Sequence, residues 1–541
     1  MKKTFLYTGL AVLLGFSAAA QKNPDAVKFS ETITKERGYS HLSILASDEY
    51  EGRETGKKGA WMAADYIKKQ FQSFGLTGPV KGGSDPYFQK VGFASKSLTK
   101  SELVVGGQAK TNLKDFYINL NDASGKGFKV KAKSILFAGF GISKEGFNEF
   151  EGQKVKGKVV MIFASGDPTV KNTAPATGGR RAQTSVGSLQ SKVKYLTDNK
   201  AAAILVINPG VDNINDRMKA YLSGSSDGLV KKETVKVPTV NIGTAVANQI
   251  LAAANTSLDV VKKQITETLK SASVVINVPV TLTAELQTTD LRAENVLGFL
   301  EGSDPELKKE VLVITGHYDH IGLVKDPNAT DKVNNGADDD GSGTTGVLLL
   351  AEAFAKAKAD GKGPKRSILF MTVCGEEKGL LGSEWYSENP VFPIENTIVN
   401  LNTDMIGRTG EEYLGKPDSA NYIYSVGSFK LSTELGKLSE SINDTYTQMK
   451  LDYKYDDPKD TQQIYYRSDH YNFAKLGIPV IFYYDGMLEQ DYHRPGDEVS
   501  KINFALLAKR AHLTYYTAWE LANRPNRPLV DKNSDGTPKT K

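Results

Sequence analysis

From residue 286 onward, continuous apolar and β-branched runs alternate with helical stretches. EVLVITGHYDH reads as a strand and GTTGVLLLAEAFAKAKA as a helix. RSILFMTVCGEE is a strand followed by a helix through LLGSEWYSEN, and TIVNLNTDMIG is a strand again. FKLSTELGKLSESIN is helical, IPVIFYY is a strand, and INFALLAKRAHLTYYTAWELANR closes as a long helix. Strands that are apolar throughout, without polar alternation, belong to sheets buried on both faces. The expected architecture is therefore α/β: a mixed, mostly parallel sheet covered by helices on both faces. In such sheets ligands gather beyond the carboxyl ends of the strands. Polar residues cluster at those ends: His317 and Asp319, then Glu376 and Glu377, then Asp404.

The segment before this sheet has two textures. Residues 28–75 look helical and surface-exposed, with LASDEYEGRETG as a polar loop between two helices. Ala60, Ala63, Ala64, Ile67, Phe71 and Phe74 share one helical face, which Gly75 ends. From about 96 to 285, short β-like runs (SILFAGFGI, KVVMIFAS, AAILVINPG, VPTVNIG) are separated by Gly-, Lys- and Asn-rich turns, with helical stretches near 185–199 and 244–270. This middle part holds no histidine and no dense carboxylate cluster, so it reads as a β-rich inserted domain without chemistry of its own. The expected division is a leader over 1–20, a first part of the main domain over 21–95, the insert over 96–285 and the rest of the main domain over 286–524. A Pro-rich tail over 525–541 is expected to be mobile.

The leader, MKKTFLYTGLAVLLGFSAAA, places two lysines before an apolar run that ends in small residues, the pattern of a secretory signal peptide with a mature start near Gln21. Export to a periplasm or to the medium follows. No cysteine stands at the cleavage point to take a lipid, and no other stretch is long and apolar enough to span a bilayer. The formal charge of +5 over 541 residues includes no basic tract, which argues against nucleic acid as a partner. Cys374, the single cysteine, can form no internal disulfide and is expected as a buried structural thiol within its strand.

Two motifs are rejected. GSGTTG at 341–346 matches GxGxxG, but the preceding strand ends near Gly316, and Asp338, Asp339 and Asp340 directly before it would repel a pyrophosphate. DKNSDG at 531–536 begins like a calcium loop, but the glutamate needed at its twelfth position would fall past residue 541. What remains is a set of imidazoles and carboxylates without cysteine: His317-x-Asp319, the three aspartates, Glu376-Glu377, Asp404 in NTDMIGR and His493 in DYHRPGDE. Such mixed donors suit zinc or another divalent first-row ion in an open site. Of the six histidines, His41 and His512 lie in helical patterns and read as structural. His320 and His470 flank the motifs as candidates for an orienting role, which leaves His317 and His493, one per ion if there are two.

GHYDHIG, NNGADDDGSG, CGEEKGLLGSE, NTDMIGR and DYHRPGDE, in that order, resemble the motifs of the M28 family of zinc peptidases, the co-catalytic bacterial aminopeptidases. LASDEYEGRETG is similar to the amino-terminal segment of that family, and the middle insert resembles the protease-associated (PA) domain that many members carry. The resemblance covers nearly the whole mature chain and implies the zinc aminopeptidase type of fold with two zinc ions per chain. It makes His317 and Asp404 ligands of one zinc, Glu377 and His493 ligands of the other, and Asp339, the middle aspartate, the bridge. Glu376 becomes the general base, taking a proton from water and passing it to the leaving amine. Asp319 would orient His317, and Tyr492 sits where some relatives have a tyrosine that helps stabilise the oxyanion. The implied partners are peptides or proteins as substrates. The same scaffold supports carboxypeptidases, for which Arg408, Arg467 and Arg494 offer cations, and glutaminyl cyclases, which normally keep fewer ligands. Intact Glu376 and the full ligand set argue against a PA-bearing protein that only binds.

Overall fold

The computed structural model describes residues 22–120, 125–170, 186–230 and 237–539, so the leader expected over 1–20 lies outside the described residues. The chain forms two compact units. One joins the residues up to Gly92 to those from Arg292 onward, and the other runs from Phe93 to Leu291.

The first unit is built on eight strands: β1 (Phe88–Lys90), β2 (Glu294–Leu300), β3 (Val311–His317), β4 (Ser367–Val373), β5 (Thr397–Thr403), β6 (Tyr422–Val426), β7 (Lys450–Asp452) and β8 (Val480–Tyr484). Their order is β1-β2-β4-β3-β5-β8-β6-β7. The four middle strands, β4, β3, β5 and β8, run parallel. Antiparallel pairs join β1 to β2, β2 to β4 and β8 to β6. Every residue of β3, β4, β5 and β8 is buried, as strands without polar alternation require.

Helices cover both faces. The long helix α4 (Gly343–Ala359) lies along β3, β4 and β5 and is packed by α1 (Pro24–Ser30), α2 (Lys35–Leu45), α3 (Lys58–Ser73) and α8 (Phe504–Asn523). On the other face Val311, Val313, Leu369 and Met371 meet Tyr386 of α5 (Leu381–Glu388) and Phe473 of α7 (His470–Ala474). Removing each such aliphatic side chain from water contributes about 1.5–3 kcal/mol. The helix starts follow local chemistry: Thr34 accepts the amide of Arg37, Asn503 that of Leu506, and Ser432 that of Leu435 at the head of α6 (Thr433–Tyr446). In α3 the stripe of Ala60, Ala63, Ala64, Ile67 and Phe71 is buried.

Two local expectations change. Cys374 is buried but stands one residue past the end of β4, where its amide donates to Asn295. The tail expected to be mobile is tied down. Arg527 donates to the carboxylate of Glu310 and to the carbonyl of Glu395, the amide of Leu529 donates to Glu434, and Asp531 accepts the amide of Thr433. Proline excludes helix and inner strand, but it does not prevent bonds made one at a time by the residues between prolines.

The second unit contains a six-stranded and a five-stranded sheet. In the first, Val159–Phe163 lies between Ile135–Phe137 and Ala203–Ile207, all parallel, and Thr239–Ile242 continues beyond. In the second, the long strands Phe93–Val105 and Val280–Leu291 pair antiparallel. Helices Leu189–Asp198, Thr244–Ala252 and Leu258–Thr268 complete it.

Candidate metal centre

The parallel strands of the first unit deliver their polar ends to one place. His317, the last residue of β3, is 1% exposed. Its Nδ1 meets the main-chain carbonyl of Asp319 at 3.0 Å. A carbonyl can only accept, so the ring proton sits on Nδ1 and Nε2 is left as the free ligand atom. That Nε2 faces Asp339 Oδ1 at 3.3 Å, Asp404 Oδ1 at 3.6 Å and Glu376 Oε2 at 3.9 Å. Asp319 thus orients His317 through its backbone. Its carboxylate lies 3.8 Å from the ring and instead accepts from the Thr55 hydroxyl and the Glu376 amide, fixing the turn that carries the glutamates.

The three aspartates separate by role. Asp340 accepts the amides of His317, Gly343 and Met405, which ties β3, the start of α4 and the turn after β5 together. Asp338 accepts the amide of Gly407, and burial together with nearby Asp485 pushes its carboxyl well up. Asp339 is the one turned inward. Its oxygens lie 3.3 Å from His317 Nε2 and 3.2 Å from His493 Nε2. Burial alone would raise its pKa, but the two histidines carry it well below the ordinary carboxylate value. Gly343, in the rejected GSGTTG run, serves packing: a Cβ there would stand 2.2 Å from the Thr403 carbonyl and 2.3 Å from Asp340.

Glu377 lies opposite, with Oε2 at 2.9 Å from His493 Nε2 and Oε1 at 2.8 Å from His320 Nδ1. His320 therefore lies inside the cluster. His470 lies outside it: Nε2 meets the Tyr465 carbonyl and the ring stacks on Phe482. Asp404 is held by the hydroxyl of Ser468 at 2.6 Å, and Ser468 is held in turn by Asn402.

A small, open cavity is lined by His317, Asp339, Glu376 and Asp404. Met405, Ile464, Phe482, Tyr484 and Leu488 supply apolar wall, and Arg467 and Tyr492 supply polar wall. Arg467 donates to the Tyr492 hydroxyl at 3.2 Å, and the Tyr492 ring stacks on His493 at 3.8 Å. Arg408 is committed elsewhere, to Asp491, and Arg494 donates to the Gln490 carbonyl. Burial pushes the Glu376 carboxyl well above its ordinary range.

The cluster fits dications. His317 Nε2, His493 Nε2, Asp339 Oδ2, Glu377 Oε1 and both nitrogens of His320 are buried without a hydrogen-bond partner among the described residues. Buried polar atoms normally have partners, and a bound ion is one explanation where they do not. Two donors of one tetrahedral ion at 2.0–2.1 Å lie roughly 3.4 Å apart, and the spacings of 2.9–3.6 Å around Asp339 bracket that figure. A purely geometric grouping places Asp340 with His317 and Asp404. Its three amide bonds commit its oxygens, so Asp339 is the better donor there. Burial would lower the pKa of His493, but Asp339 and Glu377 raise it to about 10.

Sequence reasoning did not single out several supporting residues. Arg53 and Thr55 stood in a stretch taken for a polar loop, yet both are 1% exposed, and Arg53 donates to the carbonyls of Tyr318, Leu45, Asn335 and Gly336. Asp497, in the His493 loop, accepts the amides of Asp338 and Asp339. The density of charged residues in EGRETG and RPGDE was the available signal.

Sheet and cluster together define an α/β protein with a buried cluster of imidazoles and carboxylates that could hold metal ions. Residues 295–518 match the model of Peptidase family M28. A probable leucine aminopeptidase of Arthroderma benhamiae is 29% identical over 248 residues, covering 43% of this chain and 64% of that protein. Its counterpart in Trichophyton verrucosum is 30% identical over 222 residues, covering 40% and 56%. A probable zinc metalloprotease of Pyrenophora tritici-repentis is 27% identical over 272 residues, covering 43% and 52%. The chain thus spans less than two thirds of the length of these relatives. Among solved structures, an aminopeptidase from Aneurinibacillus sp. strain AM-1 is similar at 18% identity and a TM-score of 0.48, covering 94% of this chain and 98% of that one. A zinc aminopeptidase from Bacillus subtilis is similar at 18% and 0.44, covering 93% and 98%.

Proposed function

We propose that the protein is an exported dizinc aminopeptidase, hydrolysing peptide bonds to release N-terminal residues. The observation that carries this reading is the convergence of His317 and His493 on the two oxygens of Asp339, with Glu376 on the floor of the adjoining cavity. His317, Asp404 and Asp339 would hold one ion, and Glu377, His493 and Asp339 the other. Zinc suits these donors, and zinc stands in the names of several relatives. When bound, the pair of ions supplies polarisation of the scissile carbonyl and a lowered pKa for water.

The chain's own residues do the rest. Glu376 takes a proton from water on its carboxylate and passes it to the leaving amine. Tyr492, its oxygen fixed by Arg467, directs its hydroxyl hydrogen at the developing oxyanion. The apolar wall of Met405, Ile464, Phe482 and Leu488 suits an apolar N-terminal side chain. Export rests on the leader at residues 1–20, and no helix among the described residues is long and apolar enough to cross a membrane. The unit from Phe93 to Leu291 is read as a PA-type insert.

A second reading, a carboxypeptidase, rests on Arg467, a cation in the cavity wall that would meet a substrate carboxylate. Paired free-amine and N-blocked peptides separate the two, since only the aminopeptidase requires the free amine. For the mechanism, Glu376→Gln should keep two zinc ions by elemental analysis and lose about 10²–10⁴ in kcat. Turnover near that of the wild type would overturn the assignment of the base.

A further inference from the structure

His320 occupies an unusual position for a residue that only flanks a motif. It is fully buried, and neither ring nitrogen has a hydrogen-bond partner among the described residues. Leaving an imidazole in that state is unfavourable unless something else satisfies it. The ring is fixed in place: a Cβ on Gly336 would come within 2.5 Å of its Cγ, and Gly336 itself has φ +57°. Nδ1 faces the second half of the cluster, 2.8 Å from Glu377 Oε1 and 3.8 Å from Asp339 Oδ2. The 2.8 Å contact is short but lacks hydrogen-bond geometry, since both atoms remain unpartnered. Two donors lie this way when both point at a third body rather than at each other.

We infer that His320 is a direct protein ligand of the second ion, donating through Nδ1 beside Glu377, His493 and Asp339. This rests on the two-ion reading above and extends it. The second site then has four protein donors, the closed form typical of tightly held ions, and the first has three, the number that leaves a position for substrate. The cavity agrees independently. Its walls include His317, Asp339 and Asp404 but neither Glu377, His493 nor His320. The substrate would meet the first site through all three of its donors, and the second only through the shared Asp339. With two imidazoles and two carboxylates, the second site also favours the more nitrogen-seeking divalent ions over manganese or magnesium.

Zinc-loaded protein, examined by elemental analysis and zinc K-edge X-ray absorption, tests this without reference to activity. Wild type should hold two zinc ions that share three imidazoles, from His317, His493 and His320. His320→Gln should show two imidazoles and bind one of its two ions at least roughly tenfold more weakly, as loss of even an outer partner would cause. Two zinc ions sharing only two imidazoles in the wild type would overturn the ligand role and leave the two-ion reading intact. Fewer than two zinc ions in the wild type would overturn the two-ion reading itself. The wild-type count stands even if the variant fails to fold.

Discussion

Arg53 shows how much of this centre is held by a residue that touches no ligand carboxylate. Its guanidinium is buried and donates to four carbonyls, three of them in the loops that lead to or from His317 and Asp339. Burial acts to lower its pKa, and the charges of Asp497, Asp340, Asp339 and Asp319 oppose that. The residue is both a brace and a counter-charge for a carboxylate-rich interior. Arg53→Met should lower the unfolding free energy of the ion-free protein by about 3–5 kcal/mol, because it strands buried carbonyls and removes the cation. Arg53→Lys should recover little, since an ammonium cannot reproduce the planar fork. Urea denaturation of the three proteins checks this, and a lysine variant as stable as wild type would refute the brace. The polar neighbours of Arg53 pointed to solvent, and the carbonyls that satisfy the side chain lie mostly some 265–283 positions away.

Elements repeat that pattern. Strands β3, β4, β5 and β8 were legible because a fully buried strand has a distinctive composition, and α3 because its apolar stripe recurs at helical spacing. The convergence of polar residues at the strand ends was legible because the sheet fixes where strand ends go. Bonds between remote elements left no local trace, as in Asp497 holding the aspartate loop or the tail holding α6. Helix α2 gives an element-scale test. His41 is 2% exposed, its Nδ1 meets the Tyr66 hydroxyl on α3 at 2.8 Å, and burial, with Arg37 nearby, lowers its pKa to about 4. The unfolded chain binds this proton near pH 6.5, above the folded value. Neutral His41 therefore contributes stability that is fully present above pH 6.5 and is lost as pH falls through about 4. The shift corresponds to roughly 3 kcal/mol. His41→Gln should remove that slope, so the stability gap between variant and wild type should narrow by up to this amount between pH 6.5 and 4. A constant gap in urea midpoints across that range would exclude the histidine as the source.

At the scale of the whole molecule, the chain leaves the first unit and returns to it at one point. Within the first unit, Lys90 pairs with Glu294, and the Val91 amide donates to the Ala293 carbonyl. Within the second, Phe93 pairs with Leu291. Each unit therefore has its entry and exit side by side, the arrangement in which an insertion asks little of its host. Each also has its own apolar core: one includes Val311, Leu369 and Val480, and the other includes Val159, Leu205 and Val240. The cluster residues His317, Asp339, Glu376, Glu377, Asp404 and His493 all lie in the first unit. A chain in which residues 93–291 are replaced by a short Gly-rich turn closing the β1–β2 pair should then fold. Loop closure favours it, because a two- to five-residue connection is the ordinary length for antiparallel neighbours. The shortened protein should melt in a single cooperative transition and take up two zinc ions, and residues 93–291 made alone should melt cooperatively without zinc. If the shortened protein melts without cooperativity, the first unit depends on the insert for its core, and the independence of the two units fails. If it folds and binds both ions but cleaves peptides poorly, the centre is complete within the first unit and the insert acts on substrate rather than on metal.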